Sequence, residues 1–182
     1  MSEIMTRSKI MIDPIRPEAE KIDITDIAHA LSMLCRANGH FKSFYSVGQH
    51  SINCMREAQA RGCSQKVQLA CLLHDASEAY LSDVTRPVKA ELPRYKEIEE
   101  PLQDMIWNKW LPEPLTKEEN AQVFAIDDAI LAHEFWNLME FRLVTPDPEI
   151  CSAPEFSFMG FGETKALFLE LFYRLTEKDK AL

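Results

Sequence analysis

The residues of this chain best suited to do chemistry are the adjacent imidazole and carboxylate in the apolar run Leu72-Leu73-His74-Asp75. In a buried helix both groups cost free energy unless something pairs with them. His50 lies on the preceding helix, and an aspartate of the later string IDDAILAHE is set into an apolar stripe. Asp127 and Asp128 compete for that place. Asp128 is favoured because its neighbours two turns away, Ala121 and Phe135, are apolar, whereas Asp127 drifts toward Asn120 and Glu134. One divalent cation would satisfy His50, His74, Asp75 and Asp128 together. Such a donor set suits Mn, Co, Zn, Ni or Fe, with Mg also to be considered.

Other groups gather around this set. Glu78 stands four residues after His74 and three after Asp75, so a helix puts all three on one face, and Asp83 follows about a turn further on. Arg36, Lys42, Arg86 and Lys89 bring positive charge, and His40 follows Gly39 close by. A divalent cation with two aspartates is neutral, so a bound phosphate still requires arginine or lysine. The same cation would lower the pKa of water toward neutrality and supply a nucleophile. A His-Asp pair alone is more often a surface pair or a satisfied core histidine, so the company it keeps is what suggests a metal.

The elements expected to position these residues are helices. Ile24, Ile27, Ala28, Leu31 and Leu34 recur at helical spacing behind a cap at Asp23 or Thr25, in a helix ended by Asn38-Gly39. A second helix runs from about Val47 to Arg61. A third, capped by Ser64, carries KVQLACLLHDASEAYL unbroken. Residues 82–94 read as a loop or short turn, Tyr95–Trp110 as a helix, and Thr116 with Glu119 as a capping box opening a helix to about Phe141. Residues 1–22 read as an irregular lead-in, 142–162 as a loop, and Glu163–Lys178 as a closing helix. No useful stretch alternates with strand period. The expectation is an all-α, single-domain bundle over residues 1–182.

The strings DIAHALSMLCRANGHFKSFYSVGQHS and ACLLHDASEAYLSDVTRPVK, followed by IDDAILAHE, resemble the HD-domain phosphohydrolases. They look most like the bacterial 5′-deoxyribonucleotidases and their phage relatives, which include dATP triphosphohydrolases. The resemblance implies metal ligands at His50, His74, Asp75 and Asp128, acidic catalytic residues at Glu78 and Asp83, and phosphate contacts at Arg36 and Lys89. It implies hydrolysis of the 5′ phosphoester of a deoxynucleotide by attack at the α-phosphorus. A dNTP, dATP above all, is favoured, giving deoxynucleoside and triphosphate. The alternatives are a dNMP 5′-nucleotidase and a non-catalytic nucleotide-binding module on the same scaffold. Two positions depart from the family pattern: Ala37 stands where an aromatic residue usually follows the arginine, and Gln49 stands where S-V-x-E-H-S has glutamate.

The bulk composition limits the partners. A net charge of −9 argues against a binder of duplex nucleic acid. Five scattered cysteines without a C-x-x-C pair fit reduced thiols in the cytoplasm. The first residues lack the apolar core of a signal peptide, and no run reaches the roughly 18 apolar residues of a membrane span. The expected protein is a cytoplasmic homo-oligomer that binds a small deoxynucleotide and no membrane.

Overall fold

The structure, a computed structural model, describes residues 3–177. Eight α-helices account for most of it: α1 Ile24–Met33, α2 Val47–Ala60, α3 Gln65–Leu73, α4 Glu78–Leu81, α5 Arg86–Ala90, α6 Pro93–Trp110, α7 Lys117–Met139 and α8 Phe161–Glu177. The all-α expectation is met. The lead-in has more order than expected, because Ile4–Met5 (β1) and Met11–Ile12 (β2) pair as a small antiparallel hairpin. Met1, Ser2 and the expected helix end at Lys178 lie outside the described residues.

Local chemistry explains the helix starts. The Asp23 carboxylate accepts from the Thr25 and Asp26 amides at the head of α1, and Ser46 and Ser64 cap α2 and α3 in the same way. Thr116 and Glu119 form the reciprocal capping box at α7. The core is built where α1, α2, α3, α7 and α8 meet: α2 lies along α3, α1 along α8, and α7 crosses both α2 and α3. Ile27, Leu31, Ile52, Met55, Leu72, Leu73, Ile130 and Phe168 fill this space. At Gly48 a Cβ would come within 3.2 Å of the Leu31 carbonyl, so glycine lets α2 approach α1 closely just before His50.

Two elements differ from expectation, and both differences shape the site. α1 stops at Met33, and Leu34–Arg36 leave the helix so that Cys35 bridges Ser46 and the Arg36 amide donates to the Tyr45 carbonyl. The helix expected to run from residue 66 to 81 is also interrupted. After Leu73 the chain tightens into successive i→i+3 hydrogen bonds, Ala76 to Leu73 and Glu78 to Asp75, before α4 begins. His74 and Asp75 therefore sit in a tightened turn, whose closing hydrogen bonds are supported from α6: Gln103 accepts from the Ser77 amide and donates to the Leu73 carbonyl.

Candidate metal centre

His50 is fully buried on α2, and its Nδ1–H donates to Glu134 Oε1 at 2.5 Å. His74 Nδ1–H donates to the Cys71 carbonyl at 2.7 Å. With both Nδ1 atoms so committed, each ring turns Nε2 toward the same point, and the two Nε2 atoms lie 3.1 Å apart. That common point is one that a proton or a metal ion can occupy. Asp127 Oδ1 is 3.1 Å from His50 Nε2 and 3.7 Å from His74 Nε2, and Asp75 Oδ2 is 3.6 and 3.3 Å from the same two atoms. Donors bound at about 2.1 Å to one ion stand roughly 3.0–3.4 Å apart, close to the separations among the two Nε2 atoms and these carboxylate oxygens.

Cys54, one turn after His50, joins His50, His74 and Asp127 in a set of ligand atoms lying within 4.8 Å of one another. A His/Cys/His/Asp group of this kind could hold a metal ion. Burial pushes the Cys54 thiol up to about 11, and Asp75 Oδ2 offers a further oxygen donor near both imidazoles.

The aspartate assignment needs correction. Asp127, not Asp128, is the one that α7 turns toward the histidines. Asp128 is 60 % exposed and accepts from Arg86 at 2.6 Å. The residue used to argue against Asp127 explains the error. Glu134, two turns beyond it, is itself part of the site: fully buried, with Oε1 on His50 and Oε2 accepting from Arg36 Nε at 3.1 Å. A glutamate seven residues after an aspartate on a buried stripe was the available signal for both. Cys54, four residues after His50, was not anticipated either.

Charge in the site is closely balanced. Burial raises the Asp127 pKa, but the hydrogen bonds and charges of His50 and His74 more than offset this and hold it well below the usual carboxylate range. Burial and Arg36 oppose a proton on His50. Cys54, Glu134 and Asp127 outweigh them and raise its pKa well above that of ordinary histidine. Uptake of a cation at Nε2 must therefore expel a proton. The Arg36 guanidinium, also nearly buried, bridges Glu134 and Asp75.

The centre opens into a cavity of about 630 Å³ lined by Arg36, His40, Asp75, Glu78, Asp83, Arg86, Lys89 and Asp127, with an apolar wall of Leu131, Phe135, Met139 and Leu143. Of the expected substrate contacts, Arg36, His40, Arg86 and Lys89 are on this lining. Lys42 is not, and neither is Asp128, the expected metal ligand. Glu78 accepts from Lys89 through Oε1, while its Oε2 is buried without a hydrogen-bond partner among the described residues. Burial, reinforced by the carboxylates of Asp75 and Asp83, raises the Glu78 pKa well above the ordinary range, and Asp83 is raised chiefly by burial.

Both departures from the family pattern have a place in this geometry. Ala37 and Asn38 take left-handed backbone (φ 51° for each), and Gly39 follows at φ 76°. A left-handed alanine costs on the order of 1 kcal/mol. The strained turn carries a methyl group where a ring would otherwise narrow the cavity. Gln49 faces away from the metal centre, and its Nε2 donates to the carbonyls of Glu155 and Ser157 at 3.0 and 2.8 Å. A carboxylate could donate to neither. Asn53, Glu57 and Arg61 continue the same stripe along α2, each bonding the main chain of residues 149–155. His133 Nε2 hydrogen-bonds the Pro148 carbonyl at 2.8 Å.

No family model matches the chain. It is 41 % identical over 91 residues to YfdR, an uncharacterized protein of Escherichia coli, a match covering 50 % of this chain and 48 % of YfdR. It is 39 % identical over 97 residues to an uncharacterized protein of Rhodobacter capsulatus, with 50 % and 49 % covered. The chain spans about half the length of the curated relatives it matches. The helical architecture and the histidine–aspartate centre are compatible with an HD-type fold. Among the described residues no helix is long and apolar enough to cross a membrane.

Proposed function

We propose that the chain is a divalent-metal-dependent phosphohydrolase that cleaves the 5′ phosphate ester of a deoxynucleotide. The observation that carries this reading is the convergence of His50 Nε2, His74 Nε2, Asp75 Oδ2 and Asp127 Oδ1, whose two aspartates line a pocket together with Glu78 and Arg36. When bound, the cation lowers the pKa of water and polarises the phosphoryl group. The protein does the rest. Arg36, held rigid by Glu134, offers positive charge where the phosphate gains negative charge in the transition state. Glu78 is fixed by Lys89 through one oxygen and keeps the other for a proton. Asp83 lies along the same lining, suited to meet the departing 5′ oxygen. Leu131, Phe135, Met139 and Leu143 offer an apolar wall for the nucleoside.

The charge available favours a monophosphate over the triphosphate first expected. Every cation on the lining already faces carboxylates: Arg36 meets Asp75 and Glu134, Arg86 meets Asp127 and Asp128, and Lys89 meets Glu78 and Glu99. Lys42, the further cation expected for a triphosphate tail, is exposed and off the lining. A tail of about four negative charges would meet little unpaired positive charge.

Incubation with dAMP, dATP, dGTP and ATP in the presence of Mn²⁺ or Co²⁺ tests the proposal. Orthophosphate and deoxynucleoside from dAMP, with much slower cleavage of dATP to intact triphosphate, is the expected profile. Stepwise dADP and dAMP would rule out attack at the α-phosphorus, and no hydrolysis of any substrate would reduce the chain to a binding module. Glu78→Gln keeps the Lys89 contact but cannot exchange a proton. It should lower turnover by roughly 10²–10⁴-fold with metal stoichiometry retained, and wild-type turnover in this variant would remove Glu78 from the chemistry.

A further inference from the structure

Residues 82–92 carry part of the cavity lining, from Asp83 to Lys89, yet contain no buried residue. α5 contains no buried residue, and Val88 and Leu92 are largely exposed. Polar contacts hold the segment down instead. Lys89 reaches Glu78 and Glu99, the Tyr95 hydroxyl donates to the Ser82 carbonyl, and Arg86 reaches two successive carboxylates of α7. One arm of the Arg86 fork donates to Asp127 Oδ2 at 2.6 Å and the other to Asp128 Oδ1 at 2.6 Å. The free oxygen of Asp127, Oδ1, is the one that faces His50 and His74.

We infer that Asp128 is a positioning residue for the metal centre, acting through Arg86. A guanidinium facing a single carboxylate tends to engage both its oxygens in a parallel pair of hydrogen bonds. With Asp128 beside Asp127 the fork is split, one arm to each carboxylate. Asp127 keeps Oδ1 and most of its charge for the cation, while Arg86 stays docked and anchors the 82–92 segment. Without Asp128 the fork can close on both oxygens of Asp127 and turn Oδ1 away from the histidines. The paired aspartates thus divide two tasks: one meets the ion, and the other restrains the arginine that would compete for it. This rests on the reading of His50, His74, Asp75 and Asp127 as the metal centre.

Calorimetric titration of the full chain with Co²⁺ provides the test, on Asp128→Ala, Asp128→Glu, Arg86→Gln and the double variant Arg86→Gln/Asp128→Ala. Asp128 is exposed, so its replacement should leave folding intact. Asp128→Ala should weaken Co²⁺ binding roughly tenfold, the scale of lost outer contacts to a ligand, and Asp128→Glu should recover most of that loss. In the Arg86→Gln background the same alanine substitution should cost less than about twofold, because the competitor is gone. Amide deuterium uptake over residues 83–91 should rise in Asp128→Ala. Equal losses in both backgrounds would mean that Asp128 acts only by its charge at a distance, and no loss in either would remove it from the centre; both overturn the inference. A wild-type chain that binds no Co²⁺ would instead bring down the metal reading on which the inference stands.

Discussion

Asp127→Ala should abolish tight divalent-metal binding and phosphate release together, with affinity falling by more than about 100-fold. Loss of a direct ligand must exceed the roughly 10–100-fold typical of residues one shell further out. Asp127 contributes Oδ1 at 3.1 Å from His50 Nε2, while Asp128 is held by Arg86 and Glu134 is engaged with His50 Nδ1 and Arg36. Its neighbour faces solvent, so Asp128→Ala should keep one ion per chain at reduced affinity. The contrast between two adjacent aspartates makes the comparison informative, because charge and helix position are nearly the same and only orientation differs. Metal analysis after equilibrium dialysis reads it directly. Full stoichiometry in Asp127→Ala with loss in Asp128→Ala would reverse the assignment.

Glu134→Gln should lower the unfolding free energy by about 3 kcal/mol, the scale for breaking a buried ion pair by removing one partner. The substitution is close to isosteric, so packing is nearly unchanged and hydrogen bonding decides the result. Glu134 accepts with both oxygens, from His50 and from Arg36. Glutamine has one acceptor and must turn its NH₂ toward the other donor. For a chain of this size such a loss lowers the melting temperature by about 10 °C. Although burial raises the Glu134 pKa, Arg36 and His50 hold it below the ordinary carboxylate range. A depressed pKa means that this stability is present above the unfolded value, near pH 4, and is lost as the pH falls through the folded one. The gap between wild type and variant should therefore narrow on acidification. Urea unfolding at pH 7 and below pH 4 gives both quantities, and a difference under about 1 kcal/mol at neutral pH would show that the Glu134 pairing contributes little.

His74 and Asp75 stood out in the sequence as polar groups in an apolar helical run, Glu78 by its spacing onto the same helical face, and His50 through the resemblance of the SVGQHS string. Choosing between Asp127 and Asp128 needed more. Adjacent residues on a helix point about 100° apart, and the face was selected by demanding apolar neighbours. A site that extends along the helix violates that demand, and Glu134 is the violation. The break after Leu73 was hidden for a related reason. Residues 74–77 have no glycine or proline to announce it, and the tightened turn is supported by Gln103, far away in sequence. The early end of α1 likewise depends on Tyr45 and Ser46, which draw Cys35 and Arg36 out of the helix. Gln49 could be recognised as a departure from pattern, but its purpose became visible only once residues 155–157 were seen lying across it.

The decisive measurement is a crystal structure of the chain grown with Co²⁺, with data collected on both sides of the cobalt absorption edge. One anomalous peak should lie about 2.0–2.2 Å from His50 Nε2, His74 Nε2 and single oxygens of Asp75 and Asp127, with Asp128 still holding Arg86. No peak among these four side chains, or a peak bound by Asp128 with Asp127 turned away, would refute the metal centre described here.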